Sequence, residues 1–243
     1  MASVNSLCFC GSGKKKKKCH RDVSDNSLLA EIYCARNNFD EAVSKQKGRI
    51  NCPVNCSECC SDYFPISENE FFVILDSLQR KGGNALIRKY ILKSNEVYRE
   101  MKARYPEFVS QLDFYNSRMT VYDILRDLDS NIQAGNGLPC IFLENGRCSI
   151  YQDRPSVCRF YGTCNKCSII NNLPYRLPEQ NTLIKLNELN LKNGKVLVKR
   201  MYPIFYWFYY FLNSENYSFT IGKLNIFRSQ SAKQYIEFTT KYL

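Results

Sequence analysis

The sequence contains a single histidine among 243 residues, and no stretch reaches the roughly 20 apolar residues that a membrane-spanning helix requires. Its start lacks the basic segment and apolar run of a secretory signal; Met1-Ala-Ser-Val-Asn-Ser-Leu-Cys8 leads into five lysines, Lys14 to Lys18. The expectation is a cytoplasmic protein with no transmembrane segment. No nucleotide motif is present either. Gly11-Ser-Gly13-Lys14 lacks the second, spaced glycine of a phosphate-binding loop. The absences remove the usual markers of a nucleotide-dependent enzyme and leave no spare histidine as a general base once His20 is assigned below.

What the chain has instead is cysteine. There are thirteen, an odd number that rules out complete internal pairing. A disulfide framework is the competing reading, but clustered thiols in a reducing compartment are more often metal-binding or catalytic. Charge is also uneven. Residues 1–23 carry six bases against one acid, residues 24–170 carry eighteen of each, and residues 171–243 carry ten bases against four acids. Basic ends around a neutral centre attract nucleic acid, ribosomes, anionic membrane surfaces or acidic proteins without choosing among them.

The first cysteine group is Cys8-Phe-Cys10-Gly-Ser-Gly-Lys-Lys-Lys-Lys-Lys-Cys19-His20. Two ligand pairs flank a glycine turn and offer three thiolates and one imidazole, a set that zinc accepts in closed tetrahedral sites. Gly11 and Gly13 let the backbone fold back within a few residues. The segment resembles the SEC-C zinc-binding motif, known from the carboxyl end of the SecA translocation ATPase. The match runs over Cys8, Cys10, Gly11, Ser12, Gly13, Lys14, Lys15, Cys19 and His20, and departs at Lys16, where an aromatic residue is common. The resemblance implies a zinc knuckle that docks onto a protein partner or the ribosome.

Helical periodicity follows. Leu28, Leu29, Ile32, Phe39 and Val43 predict a helix within 24–49, with Gly48 as its stop and Cys34 as a small buried residue. Ser67-Glu-Asn-Glu70 is a capping box ahead of Phe71, Phe72, Leu75 and Leu78, and Gly82-Gly83 is the expected end of that helix. A second helix runs from about Asn84 to Tyr105. Pro106 opens a third, with Phe108, Leu112, Tyr115, Met119, Tyr122 and Leu125 on one stripe.

The remaining cysteines form two sets, Cys52, Cys56, Cys59 and Cys60, then Cys140, Cys148, Cys158, Cys164 and Cys167. If they serve one site, the helices between them are a spacer that brings the sets together. Asn145-Gly146 predicts a tight hairpin between Cys140 and Cys148. Arg154 and Arg159 flank Cys158, where positive charge would favour thiolates. Cys164-Asn-Lys-Cys167 could be a redox pair, but it lacks the βαβ context of that motif.

On these residues, with Gly146-Arg-Cys148-Ser-Ile-Tyr and Arg154-Pro155, the chain resembles the YkgJ-type cysteine-cluster family, a zinc- or iron-chelating domain. The resemblance implies a central centre of zinc or iron, the latter including a [4Fe–4S] cluster. A related cysteine pattern occurs in flagellin lysine N-methylases, which makes a cluster-dependent redox or protein-modifying enzyme one alternative. The sequence has no glycine-rich S-adenosylmethionine site. A ribosome- or nucleic-acid-associated factor is the other alternative.

Beyond Pro174 and Pro178, Leu189 to Val198 with Asn193-Gly194 predicts a β-hairpin. The aromatic run Met201–Leu212 is too short to span a bilayer and is expected to be buried, and Ser231 to Leu243 should form a short helix. The predicted architecture is mainly α. It comprises a knuckle at 1–23, a helical cysteine-cluster domain at 24–175, and a basic, aromatic-rich, mixed α/β extension at 176–243.

Overall fold

Two serines open the helices that frame the protein. Ser27 has extended backbone angles and its hydroxyl accepts the Ala30 N–H at 3.2 Å, starting α1 (Leu28–Ser44). Ser67 does the same for α2 (Glu68–Arg104). Its hydroxyl accepts the Glu70 N–H at 3.3 Å while Glu70 Oε2 accepts the Ser67 N–H at 3.0 Å, completing the expected capping box. Each cap satisfies donors that a helix start leaves orphaned, a contribution of about 1 kcal/mol. The computed structural model describes residues 5–45, 57–61, 65–113, 138–160, 180–191 and 201–242, and among them the protein is mainly helical.

Helix α1 buries Leu28, Leu29, Ile32, Phe39 and Val43, as its spacing predicts. The reading of Cys34 as buried is corrected: it is exposed, because two residues past Ile32 is the opposite side of a 3.6-residue helix. The predicted stop, Gly48, lies outside the described residues. Two-residue strand β1 (Pro65–Ile66) precedes α2. The first half of α2 is buried on all sides from Phe71 to Leu78, so it is the central post of the core. The predicted break at Gly82-Gly83 is present as a kink that joins two helices in α2. Gly83 has φ +59° and ψ −152°, angles open only to a residue without Cβ, after which the helix continues to Arg104. Pro106 then opens α3 (Pro106–Asp113) as expected. Tyr115, Met119, Tyr122 and Leu125 lie outside the described residues.

The Asn145-Gly146 turn is present between β2 (Leu143–Glu144) and β3 (Arg147–Cys148), with φ of +51° and +72° at its two central residues. Pro155 precedes the short α4 (Ser156–Phe160). Glu70 binds across to it: Oε1 accepts the Ser156 N–H at 2.7 Å.

The predicted hairpin at 189–198 is corrected at its first strand. Residues 189–191 close helix α5 (Gln180–Leu191). Alternation of leucine and polar residues suggests a strand, but helical spacing is what buries Leu186, Leu189 and Asn190 on one side. That turn also lets the Leu189 carbonyl accept the Asn69 amide at 2.8 Å. Tertiary packing overrides the local pattern. The rest of that hairpin lies outside the described residues.

Strand β4 (Tyr202–Pro203) pairs antiparallel with β1, Ile66 opposite Tyr202, and delivers α6 (Ile204–Phe211) onto α2. The aromatic run is buried, as expected, at Phe205, Tyr206, Trp207, Phe208 and Phe211. Trp207 stacks on Phe71 at 4.9 Å between ring centroids and donates Nε1–H to the Ile66 carbonyl at 3.1 Å. Helices α7 (Tyr217–Ser229) and α8 (Ala232–Tyr242) finish the chain, the last matching the predicted short helix. The end of α7 meets the chain's beginning: the Ser24 N–H donates to Arg228 O and the Leu28 N–H to Gln230 O, each at 2.9 Å.

Candidate metal centre

The knuckle is built by short backbone hydrogen bonds. Cys8 N–H donates to Lys14 O at 2.8 Å and Lys16 N–H to Ser6 O at 2.9 Å, closing the loop that carries Cys8 and Cys10. Gly11 and Gly13 turn it with φ of +73° and +71°. A Cβ on Gly11 would also lie 2.7 Å from the Asn37 amide, which anchors the loop by donating to Phe9 O at 2.8 Å. A 3₁₀ turn at Lys16–Lys18 then places the Cys19 and His20 amides on Lys16 O, both at 3.0 Å. Lys16, where the resemblance expects an aromatic residue, points inward and pairs with Asp25 at 2.6 Å.

Cys8 Sγ and Cys19 Sγ each lie 3.2 Å from His20 Nδ1, and Cys10 Sγ lies 3.5 Å from Cys19 Sγ. All four ligand atoms fall within 4.8 Å of one another. A tetrahedron with zinc–sulfur bonds near 2.3 Å has edges of about 3.8 Å, so the spread suits one ion and is too narrow for a four-iron cluster. Cys8 and His20 are buried, and Cys10 and Cys19 half-buried.

His20 turns its other nitrogen to the helical core. Nε2 lies 3.3 Å from Asp76 Oδ2, an ion-pair approach rather than a well-aligned hydrogen bond. Asp76 is fully buried on α2. Its carboxylate accepts Arg80 Nε and Nη2, both at 2.9 Å, Arg228 Nε at 2.7 Å and the Tyr33 hydroxyl at 3.3 Å. Arg80 also donates to Cys19 O at 3.0 Å and to both oxygens of Asp22. The knuckle is thereby tied to α1, α2 and α7 through one carboxylate. Such an outer partner fixes the ring of a ligating histidine and leaves Nδ1 for the metal.

Electrostatics follow from this enclosure. In the metal-free protein burial pushes the Cys8 thiol up to about 12. Burial acts the same way on Cys10, but contacts with His20 and Ser12 prevail and bring it to about 6. Burial alone would lower His20, yet Asp76 and Cys10 hold it at about 9. Desolvation opposes the charge on Asp76, but His20 and the two arginines drive its carboxyl well below the usual carboxylate range. Metal binding therefore displaces protons from the site.

The central cysteines are described in part. Cys60 lies in a 3₁₀ turn (Glu58–Ser61), and its carbonyl accepts the Cys140 N–H at 2.6 Å. The two sets, eighty residues apart in sequence, therefore abut through their backbones. Cys148 ends β3 and Cys158 sits on α4; these and Cys60 and Cys140 are half-buried. Arg159, expected beside the thiolates, is spent on Asp40 and on the Gln152 and Arg154 carbonyls. Cys52, Cys56, Cys164, Cys167 and the side chain of Cys59 lie outside the described residues.

Residues 51–180, more than half of the chain, match the model of the CxxCxxCC family, "Putative zinc- or iron-chelating domain". The chain belongs to this family. The family's CxxCxxCC signature has two residues in the first gap, whereas Cys52 and Cys56 here enclose three. No curated protein and no solved structure matches the chain. The family region holds the central cysteines but not the Cys8–His20 group, so the knuckle is an addition to it. Sequence reasoning missed Asp76, Arg80 and Arg228. The one available signal was an acid, Asp76, inside the apolar run Phe71–Leu78 with a base four residues on.

Proposed function

We propose that the protein is a two-site metal chelator. Cys8, Cys10, Cys19 and His20 Nδ1 form a closed structural zinc site, the role implied by the SEC-C resemblance. The central cysteines, Cys59, Cys60, Cys140, Cys148 and Cys158 with their neighbours in sequence, hold the zinc or iron of the family, including an iron–sulfur form. The observation that carries the reading is the knuckle geometry, four donor atoms within 4.8 Å with the imidazole backed by a buried carboxylate. The Cys60–Cys140 backbone contact supports one shared central centre. A zinc ion with four protein ligands keeps no open position for substrate, which favours a structural over a catalytic role for the knuckle.

The test is metal analysis with a visible spectrum on anaerobically purified full-length protein, compared with Cys19→Ser. The parent should carry at least one zinc beyond the central metal, and Cys19→Ser should lose one equivalent while the central metal remains. Equal zinc in both would refute the knuckle site. The outer lysines of the knuckle, Lys15 and Lys17, are exposed and suit docking to an acidic protein or ribosomal partner in the cytoplasm. Charge reversal at both tests this better than truncation, which would uncover Asp76. Capture of the same partners at the same salt by both forms would overturn the docking role.

A further inference from the structure

A cavity of ≈ 580 Å³ lies under the knuckle, between it, α1, α2 and the turn before α4. Its size falls within the range of small-molecule sites. Its walls carry Lys14, Lys18, Arg36, Arg80, Lys81 and Arg159 against two acids, Asp40 and Asp153. Three of those cations are already matched. Arg80 binds Asp76 and Asp22, Lys81 binds Asp153 at 2.7 Å, and Arg159 binds Asp40. Lys14, Lys18 and Arg36 have no acid in an ion pair among the described residues.

Arg36 is the informative one. It is only 2 % exposed. A single nitrogen of its fork is engaged, Nη1 donating to the Asp153 carbonyl at 3.3 Å, while Nε and Nη2 are buried without a partner. Desolvating a guanidinium without acceptors is costly, and buried charges are ordinarily paired. Burial and the neighbouring Arg159 pull its pKa down to about 10, so it remains a cation at neutral pH. The unpartnered Nε–Nη2 edge of this wall residue matches the paired oxygens of a phosphate.

We propose that this cavity binds a phosphate-bearing small molecule, held by Arg36 from below and by Lys14 and Lys18 from the knuckle. Cys10, Cys19 and His20 share this wall, and zinc on three thiolates leaves one net negative charge there. The three unmatched cations therefore suit a ligand with about two negative charges, which a phosphate monoester carries and a monocarboxylate does not. The volume exceeds that of a single phosphate, so the organic part of the ligand sits inside as well. Because the roof is the knuckle, the site is assembled only when the knuckle is folded, which ties ligand binding to metal loading.

The experiment uses the full-length, metal-loaded protein at constant ionic strength. Inorganic phosphate, AMP and acetate are titrated separately by calorimetry, with zinc content measured before and after. AMP and phosphate should bind one-to-one, AMP the tighter, and acetate should not bind. Lys14→Ala/Lys18→Ala, both exposed positions, should weaken AMP about tenfold while zinc content stays at the parent value. Arg36→Lys keeps the charge but loses the fork and should weaken it further. Absence of saturable binding up to about 10 mM AMP, or equal binding by parent and both variants, overturns the site. Binding of phosphate alone, no tighter than acetate, marks an adventitious ion only and overturns it too. Loss of zinc in the parent preparation would instead refute the knuckle reading, a distinct outcome.

Discussion

Asp76 offers the most demanding test of how the knuckle is held. Its carboxylate is inaccessible and meets two arginines, a tyrosine and the imidazole of His20. Asp76→Ala removes the buried counter-ion that Arg80 and Arg228 share, and leaves these side chains, only 19 % and 9 % exposed, with the more exposed Asp22 as their remaining acid. Breaking a buried ion pair from one side costs about 3–5 kcal/mol. For a protein of this size each kcal/mol lowers the melting temperature by about 2–4 °C, so the expected fall is about 6–20 °C. Asp76→Asn keeps the shape but not the charge, and separates stability from metal affinity. Losing the carboxylate behind a ligating histidine should weaken zinc about 10–100-fold, equivalent to about 1.4–2.7 kcal/mol. The assay is thermal unfolding by circular dichroism alongside a zinc competition titration against a chromophoric chelator. If Asp76→Asn binds zinc within twofold of the parent, the carboxylate serves only the arginines and the proposed link to His20 is wrong.

Three further outcomes are expected. Cys59→Ala and Cys148→Ala should each strip the central metal and destabilise the domain, since metal binding and folding are linked; full metal content in the Cys148 variant would separate the two cysteine sets. Trp207→Ala should cost about 3–5 kcal/mol in chemical denaturation, because it empties a fully buried site against Phe71 and orphans the Ile66 carbonyl; a cost below about 1 kcal/mol would contradict that packing. Hydrogen bonds from Lys89 and Lys93 hold Glu144 at about 2. A carboxyl depressed on folding adds stability that is present above its unfolded value near 4.5 and is lost as pH falls toward 2. Glu144→Gln should therefore flatten the acid limb of the stability profile, and an unchanged limb would exclude the contribution.

Local chemistry was the legible part of this sequence. The Ser67–Glu70 box, the Asn145-Gly146 turn and the Pro106 helix start each depend on residues within four positions, and each is present. The knuckle was legible for the same reason, since its ligands span thirteen residues and carry their own turn. Leu189–Leu191 was misread because its alternation holds for a few residues, while the helix is decided by packing of Leu186 and Leu189 on distant elements. Cys34 was misplaced by residue type, although its angular position on α1 already contradicted burial. The charge network was legible only in the Asp76–Arg80 pair, four residues apart, and nothing local announces His20 and Arg228, partners 56 and 152 residues away.

The contact between Arg228 and Asp76 sets an order of events during synthesis. Cys8, Cys10, Cys19 and His20 come before α2 and α7 in the sequence, and the carboxylate behind His20 is fully neutralised only when α7 has been made. Until then Asp76 has Arg80, Tyr33 and His20 but not Arg228, and Ser24 and Leu28 lack the carbonyls of Arg228 and Gln230 that receive their amides. The surroundings of His20 are thus finished by a helix that lies at Tyr217–Ser229. A chain stopped before residue 228 would keep Cys8, Cys10, Cys19 and His20 and still leave Asp76 without Arg228.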